Sequence, residues 1–150
     1  REISEVIENV KIDTLQLHGN ESPERVRDIK DFTGLSIIKV IKVRTLQDLN
    51  LFKAFVDIAD NFLFDAKVNI EKNSNLPGGN AISFDWKVLS GVKIPKPWIL
   101  AGGLDKNNVS EAIKITNAKA VDVSTGVEDK LGVKATRKII DFIEATRKLS

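Results

Sequence analysis

The stretch PWILAGGLDKNN, residues 97–108, is an apolar run that stops at two glycines and then turns polar. Its first half predicts a buried strand, and the segment NVSEAIKIT that follows predicts a helix. Glycine at the end of a strand lets the backbone approach a ligand closely, and the start of a helix offers unpaired N–H groups. We therefore predict a strand, a ligand-binding turn at Gly102 and Gly103, and then a helix.

The same order of strand, polar or glycine-containing turn and helix recurs along the chain. Strands are predicted at TLQLHG, SIIKVIKV, NFLFDA, PWILAGG and AVDVSTG. Helices are predicted at EISEVIENV, SPERVRDIKDF, TLQDLNLFKAFVDIA, FDWKVLSG, NVSEAIKIT and TRKIIDFIEATRKL. Ser22 and Pro23 are the residue types preferred at the N-cap and the first position of a helix. Apolar strands that alternate with amphipathic helices predict a parallel sheet covered by helices.

Two architectures fit this α/β pattern. A strand count of five favours an open doubly wound sheet, but such a sheet gathers its functional residues at one switch point. Here nearly every strand ends in a polar or glycine signature (LHG, KVR, FDA, AGG and VSTG), which is typical of the site of a TIM (βα)8 barrel. No linker-like composition divides the chain, so residues 1–150 are predicted to form a single domain.

Composition limits the classes of function. The chain is 42% hydrophobic and 29% charged with a net charge of +2, which is typical of a soluble protein and does not favour nucleic acid as a partner. It contains no cysteine and one histidine, which argues against a thiolate or multi-histidine metal site. The sequence shows neither an apolar run of membrane-spanning length nor a secretory signal, so we expect a cytoplasmic protein that does not act at a membrane.

A second candidate turn for phosphate lies in DVSTGVE, residues 122–128. Ser124 and Thr125 add hydroxyl groups to a turn that contains Gly126. Barrels of this class often bind phosphate with the loops that follow their last two strands, and both glycine turns fall there if the chain ends with the eighth βα unit. Glycines after strands also make ordinary turns, but the two stretches together favour a phosphate site.

Ordered blocks of the sequence resemble phosphoribosylanthranilate isomerase, a (βα)8-barrel family of tryptophan biosynthesis. The blocks are LQLHGNESPERV, FDAK, PGGNAISFDW, ILAGGLDKNNVSEAI and VDVSTGVEDKLGVKATRKIIDFIEA. The resemblance implies an Amadori rearrangement of N-(5'-phosphoribosyl)anthranilate to 1-(2-carboxyphenylamino)-1-deoxyribulose 5-phosphate, with no metal or organic cofactor. It also implies a small phosphosugar substrate, and a homodimer or a fusion to another enzyme of the same pathway.

The resemblance further assigns roles to residues of this chain. The general acid that opens the ribose ring matches Asp65, at the end of a strand where a carboxyl can be partly desolvated. Asp122 matches an aspartate near the anthranilate amino group. His18 ends a strand on the same side and is a binding candidate, although a lone histidine there is more often structural. The phosphate-binding residues predicted from the two glycine turns are Gly102, Gly103, Ser124, Thr125 and Gly126.

The chain departs from the family in two places. The family's general base is a cysteine of the first strand, and this chain has no cysteine. The blocks align as if the first two βα units and the third strand were missing, which predicts an N-terminally truncated barrel of about five βα units, strands four to eight, inactive on its own. In the loop at 67–83, Ala81 and Ile82 replace a glycine and a polar residue of the family pattern.

Two other interpretations stay open. One is a different phosphosugar barrel enzyme, such as an indole-glycerol-phosphate synthase or a ribulose-phosphate epimerase, although an epimerase needs a metal site that a single histidine does not favour. The other is a non-enzymatic flavodoxin-like binding domain, which would have an open sheet with helices on both faces.

Overall fold

A parallel four-stranded sheet forms the centre of the computed structural model, which describes residues 2–66 and 86–147. Its strands are β1 (Thr14–Leu17), β2 (Ser36–Val43), β3 (Asn61–Ala66) and β4 (Trp98–Ala101). They lie in the sheet in chain order, and each neighbouring pair is parallel. Each crossover therefore moves one strand further in the same direction, as in a barrel, whereas a doubly wound sheet reverses direction at its switch point.

Helices follow or precede these strands. They are α1 (Glu2–Asn9), α2 (Pro23–Thr33), α3 (Leu46–Asn50), α4 (Val109–Thr116) and α5 (Thr136–Arg147). The predicted start of α2 is confirmed, because Ser22 Oγ accepts a hydrogen bond from Arg25 N at 3.2 Å and Pro23 occupies the first turn. Within residues 2–66 and 86–147, no helix has the length and apolar character needed to cross a membrane.

The described helices pack on one face of the sheet. A large buried cluster joins alternate strand residues to apolar residues of the helices; its members include Ile37, Phe62, Leu100, Val26, Leu49, Val109 and Phe142. The other strand residues form a second, small cluster of Val40, Leu63 and Ala101, against which only further strand residues pack in the described part. Helices on both faces are thus absent from the described residues, and the flavodoxin-like alternative is wrong for this part of the chain.

The single long helix predicted over residues 45–59 is wrong. Helix α3 ends at Asn50, and a 3-10 helix, Leu51–Phe55, replaces its continuation. Leu49, Phe52 and Phe55 are buried at a spacing of three, which matches the period of a 3-10 helix rather than an α-helix; Ile58 and Ala59, after the 3-10 helix, are also buried. Phe52 fixes this arrangement by packing edge-on against the Phe62 ring, with the ring centroids 5.5 Å apart.

The fifth predicted strand is reduced to one parallel bridge between Val121 and Leu100. Two hydrogen bonds form it, from Leu100 N to Ala120 O at 3.0 Å and from Asp122 N to Leu100 O at 2.8 Å. The chain then leaves the sheet in a 3-10 helix at Thr125–Val127. The parallel α/β sheet of barrel type is therefore confirmed, but five regular βα units are not. The single-domain prediction stays a prediction, and Ala81 and Ile82 lie outside the described residues.

After this turn the chain forms an antiparallel hairpin that the sequence analysis missed. Its strands are β5 (Glu128–Lys130) and β6 (Val133–Lys134), joined through Gly132 with φ of 78°. The segment EDKLGVK is short and mostly charged, so it shows no run of alternating apolar residues from which a strand could be predicted.

Candidate functional site

The C-terminal ends of the parallel strands surround a cavity of about 220 Å³. Its lining residues are Gln16 of β1 and His18 just after it, Leu63 and Asp65 of β3, Ala101 at the end of β4 with residues 102–104 after it, and residues 122–125 after the bridge. All the site residues predicted from the sequence therefore lie at this one cavity except Gly126. A larger cavity of about 540 Å³ between α1 and α2 contains none of them.

Asp65 and His18 meet in this cavity from two strands that are not neighbours. Asp65 Oδ2 lies 3.3 Å from His18 Nε2, and the Asp65 side chain is only 19% exposed whereas that of His18 is 49% exposed. His18 thus contacts the predicted acid, and its role in binding stays a prediction.

A buried ion pair holds the turn that follows His18. Lys39 of β2 is 3% exposed, and its Nζ donates to Glu21 Oε2 at 2.7 Å, to Gly19 O at 3.0 Å and to Leu17 O at 3.4 Å. Glu21 Oε1 accepts a hydrogen bond from Gly19 N at 3.0 Å. Burial alone would raise the pKa of Glu21, but the hydrogen bonds and charge of Lys39 hold that pKa below its ordinary value.

Gly102 and Gly103 have φ angles of 93° and 61°, in the left-handed region that favours glycine. Side chains close the turn that follows, because Asn108 Nδ2 donates to Gly103 O at 2.9 Å and Asn108 Oδ1 accepts from Asp105 N at 2.9 Å. The strand ends in two glycines because the backbone reverses there in a conformation that other residues rarely adopt.

Gly126 is needed for a different reason. A Cβ atom at this position would collide with the carbonyl oxygen of Leu104, in the loop after β4. The turn at residues 124–126 and the turn at residues 102–104 are therefore in contact. The two glycine turns predicted separately from the sequence form one surface, and Gly126 supports that surface from behind the cavity lining.

Asp122 is placed at the cavity by the bridge to β4, through its N–H bond to Leu100 O. Its side chain is exposed, as are those of Ser124 and Thr125. The carboxylate of Asp122 and the two hydroxyl groups are thus available to a ligand on the side of the cavity opposite β1. Among residues 2–66 and 86–147, no group of three or more acidic or histidine side chains could hold a metal ion.

Comparison with known proteins gives one family. The family model described as N-(5'-phosphoribosyl)anthranilate (PRA) isomerase matches residues 1–145. A similar curated relative, the N-(5'-phosphoribosyl)anthranilate isomerase of Rhizobium johnstonii, is 51% identical over 147 residues, which cover 98% of this chain and 65% of the relative.

Solved structures of the same family are also similar. Phosphoribosyl anthranilate isomerase from Thermotoga maritima matches with a TM-score of 0.79 and 30% identity, covering 99% of this chain and 68% of that one. A phosphoribosyl anthranilate isomerase in complex with reduced 1-(o-carboxyphenylamino)-1-deoxyribulose 5-phosphate matches with a TM-score of 0.75 and 28% identity, over 99% of this chain and 66% of that one.

This chain spans 65% of the length of its Rhizobium johnstonii relative, slightly less than two thirds. The matched region nevertheless includes every described strand, both glycine turns and Asp65. The chain belongs to the N-(5'-phosphoribosyl)anthranilate isomerase family.

Proposed function

We propose that this chain supplies the general acid and the phosphate site of an N-(5'-phosphoribosyl)anthranilate isomerase, which makes 1-(2-carboxyphenylamino)-1-deoxyribulose 5-phosphate. The observation that supports this most directly is the position of Asp65, a shielded carboxyl in the same cavity as two touching glycine turns. Residues 1–150 would form strands four to eight of a (βα)8 barrel, with the fifth of these strands shortened to the bridge at Val121.

The phosphate group would bind between the two glycine turns. Gly102 and Gly103 have no side chains to keep phosphate oxygens away from the backbone. Ser124 and Thr125 line the same cavity with exposed hydroxyl groups, which can donate hydrogen bonds to an anion. Gly126 keeps the second turn in contact with the first.

Asp65 would start the reaction as a general acid. It donates a proton to the ribose ring oxygen, the bond from that oxygen to C1' breaks, and the anthranilate nitrogen forms a double bond to C1'. Loss of the C2' proton to a base then gives an enolamine, which becomes the ketone of the product. His18, 3.3 Å from Asp65, would hold the carboxyl in place through this proton transfer.

Asp122 would bind the anthranilate end of the substrate by accepting a hydrogen bond from its amino group. The bridge to β4 fixes the backbone of Asp122 on the side of the cavity opposite β1. The substrate would therefore lie across the cavity with its ribose ring near Asp65 and its phosphate between the glycine turns. No organic cofactor or metal takes part in this scheme.

The second group that the reaction needs is the base, and the resemblance assigns it to a cysteine that these 150 residues do not contain. We therefore expect the chain by itself to be inactive. The whole enzyme is proposed to be cytoplasmic. It is also proposed to be a homodimer or to be fused to another enzyme of the pathway. The intact mass and the light scattering of the protein from its host would distinguish these two forms.

Turnover of N-(5'-phosphoribosyl)anthranilate tests this proposal. The protein as its host makes it should convert the substrate to the single ketose product, whereas the isolated 150-residue chain should convert none above the uncatalysed background. Absence of turnover by the host's protein would contradict the proposed function. Turnover by the isolated chain would instead show that the base lies among its own residues.

A further inference from the structure

The hairpin that follows the second glycine turn reaches back to it through one lysine. Lys134 of β6 donates from Nζ to Ser124 O at 2.9 Å and to Ser124 Oγ at 2.9 Å. It donates a third hydrogen bond to Glu128 Oε1 of β5 at 2.6 Å. Ser124 lines the strand-end cavity, but Lys134 does not.

These three contacts use all the donors of the lysine. An ammonium group has three N–H bonds and no acceptor, so a direct bond from Lys134 to a ligand would require one of the existing bonds to break. Lys134 is therefore placed to act through Ser124 and not by touching a ligand itself.

The contacts also decide what Ser124 can offer to a ligand. Its hydroxyl oxygen accepts from Lys134, so the hydroxyl proton remains available to be donated elsewhere. Its carbonyl oxygen accepts from both Lys134 and Val127 N, the latter at 3.3 Å. Because a trans peptide places O and H on opposite sides, the N–H of Thr125 points away from Lys134. The carbonyl oxygen and the hydroxyl oxygen of Ser124, which would repel an anion, thus both accept hydrogen bonds from Lys134.

Glu128 holds the lysine in this position. Its side chain is 10% exposed and also accepts a hydrogen bond from Gly132 N at 3.0 Å, within the hairpin turn. The hydrogen bonds from Lys134 and Gly132 lower the pKa of Glu128, so its carboxylate is charged at neutral pH. The hairpin thus fixes both ends of the Glu128–Lys134 pair.

We propose that Lys134, held by Glu128, is a positioning residue that orients Ser124 as a hydrogen-bond donor to the phosphate group of the ligand. This inference rests on the proposed function for the nature of the ligand, since it requires a phosphate group in the strand-end cavity. It adds to that function a residue outside the cavity whose effect is on binding and not on the chemical step.

The test is the affinity of the host's protein for inorganic phosphate, measured by calorimetry. Lys134→Met removes the three donors and should weaken phosphate binding about three- to tenfold, the size of one net hydrogen bond. The KM for the phosphosugar should rise by a similar factor while kcat changes less than about twofold.

Lys138→Met is the matched control, because it removes the same charge from the same region. Lys138 Nζ donates to Glu128 O at 2.7 Å and lies 3.0 Å from Asp129 Oδ1, without any bond to Ser124 among its described contacts. The phosphate affinity of the Lys138→Met variant should stay within about twofold of that of the wild type. Equal losses in the two variants would overturn the inference, since long-range charge would then explain both.

The serine provides the second control. In a Ser124→Ala background, Lys134→Met should add less than about a twofold loss, because the hydroxyl through which it acts has gone. An undiminished loss there would overturn the inference. If Lys134→Met does not fold, Glu128→Gln provides the alternative test, because it weakens the contact that holds Lys134. This variant should also bind phosphate less tightly than the wild type. Unchanged phosphate affinity in Glu128→Gln would overturn the inference.

Wild-type behaviour separates the two proposals. A protein that binds phosphate, shows the loss in Lys134→Met and fails to convert the phosphosugar would contradict the proposed function while supporting the role of Lys134. A wild-type protein that binds no inorganic phosphate would overturn the role of Lys134.

Discussion

Gly102, Gly103 and Gly126 are glycines for two different physical reasons. The first two adopt positive φ angles, which other residues reach only with strain. Gly126 does not, but its backbone lies against the carbonyl oxygen of Leu104. The sequence predicted that all three glycines belong to one phosphate site. Only the folded backbone shows that Gly102 and Gly103 are needed for a turn and Gly126 for a close contact.

Replacement of Gly126 by alanine should affect both stability and phosphate binding. The new Cβ meets a backbone oxygen that cannot rotate away, so we expect a loss of about 1–3 kcal/mol in the free energy of unfolding. We also expect weaker binding of inorganic phosphate, since the two turns must move apart. Urea unfolding and calorimetry of the host's protein measure the two effects.

Gly91→Ala is the control for this substitution. Gly91 has φ of 76° and open space around it, so alanine there costs only conformational strain, about 1 kcal/mol. Its phosphate affinity should equal that of the wild type. If Gly126→Ala binds phosphate as tightly as the wild type, the claim that phosphate binding requires contact between the two turns is wrong.

Two lysines near the site could not be assigned a role from the sequence. Lys39 stands among Ile37 and Ile41 on the buried side of β2, and a charged residue at such a position is a signal that a buried partner exists. Its partner, Glu21, lies in the loop between β1 and α2 and could not be named from spacing. The role of Lys134 could not be predicted, because its contacts depend on a hairpin whose mostly charged sequence does not predict strands.

At the level of elements, Asp60 joins helix α2 to the start of two strands. Its Oδ2 accepts from Ile37 N at 2.8 Å, and its Oδ1 accepts from Lys30 Nζ at 2.8 Å. Lys30 also donates to Ile58 O at 2.8 Å. One carboxylate thus fixes the register between α2, β2 and β3, and with it the positions of Asp65 and His18 at the far strand ends.

Asp60→Ala should lower the free energy of unfolding by about 1–3 kcal/mol near neutral pH, because Ile37 N–H loses its partner. Burial alone would raise the pKa of Asp60, but Lys30 and the N–H of Ile37 hold it below its ordinary value of 3.8. A lowered pKa in the folded state stabilises the protein above 3.8, and this contribution disappears as the pH falls through the folded pKa.

The difference between wild type and Asp60→Ala should therefore be largest at about pH 7 and smaller at about pH 3, as measured by denaturant unfolding. Asp141→Ala is the control, because Asp141 pairs with the half-exposed Lys106 at 2.7 Å and such surface pairs contribute about 0–1 kcal/mol. A difference for Asp60→Ala that grows toward low pH would contradict the assigned direction of its pKa.

The elements themselves were predicted with unequal success. Long apolar strands such as SIIKVIKV and NFLFDA gave clear signals, and β2 and β3 are where they were expected. The segment after Thr45 has apolar residues that fit both an α-helix and a 3-10 helix, and packing of Phe52 on Phe62 decides between them. The segment 120–126 leaves the sheet early because Ser124 to Gly126 turn toward Leu104.

At the level of the whole molecule, the strand ends gave better information than the number of strands. A count of five favoured an open sheet, but polar or glycine signatures at nearly every strand end favoured a barrel, and the monotonic strand order with helices on one face supports the latter. The site draws on β1, β3, β4 and the segment at residues 122–125. The fold, and not any one sequence motif, therefore determines which residues come together in the site.

The role of Asp65 is the central claim, and the kcat of Asp65→Asn in the host's protein tests it most directly. An amide cannot donate the proton that opens the ribose ring, so kcat should fall about 10²-fold or more while the affinity for inorganic phosphate stays near that of the wild type. Asp31→Asn, at an exposed position of α2, should leave both quantities unchanged. A wild-type kcat in Asp65→Asn would contradict the claim, because the acid would then be another residue.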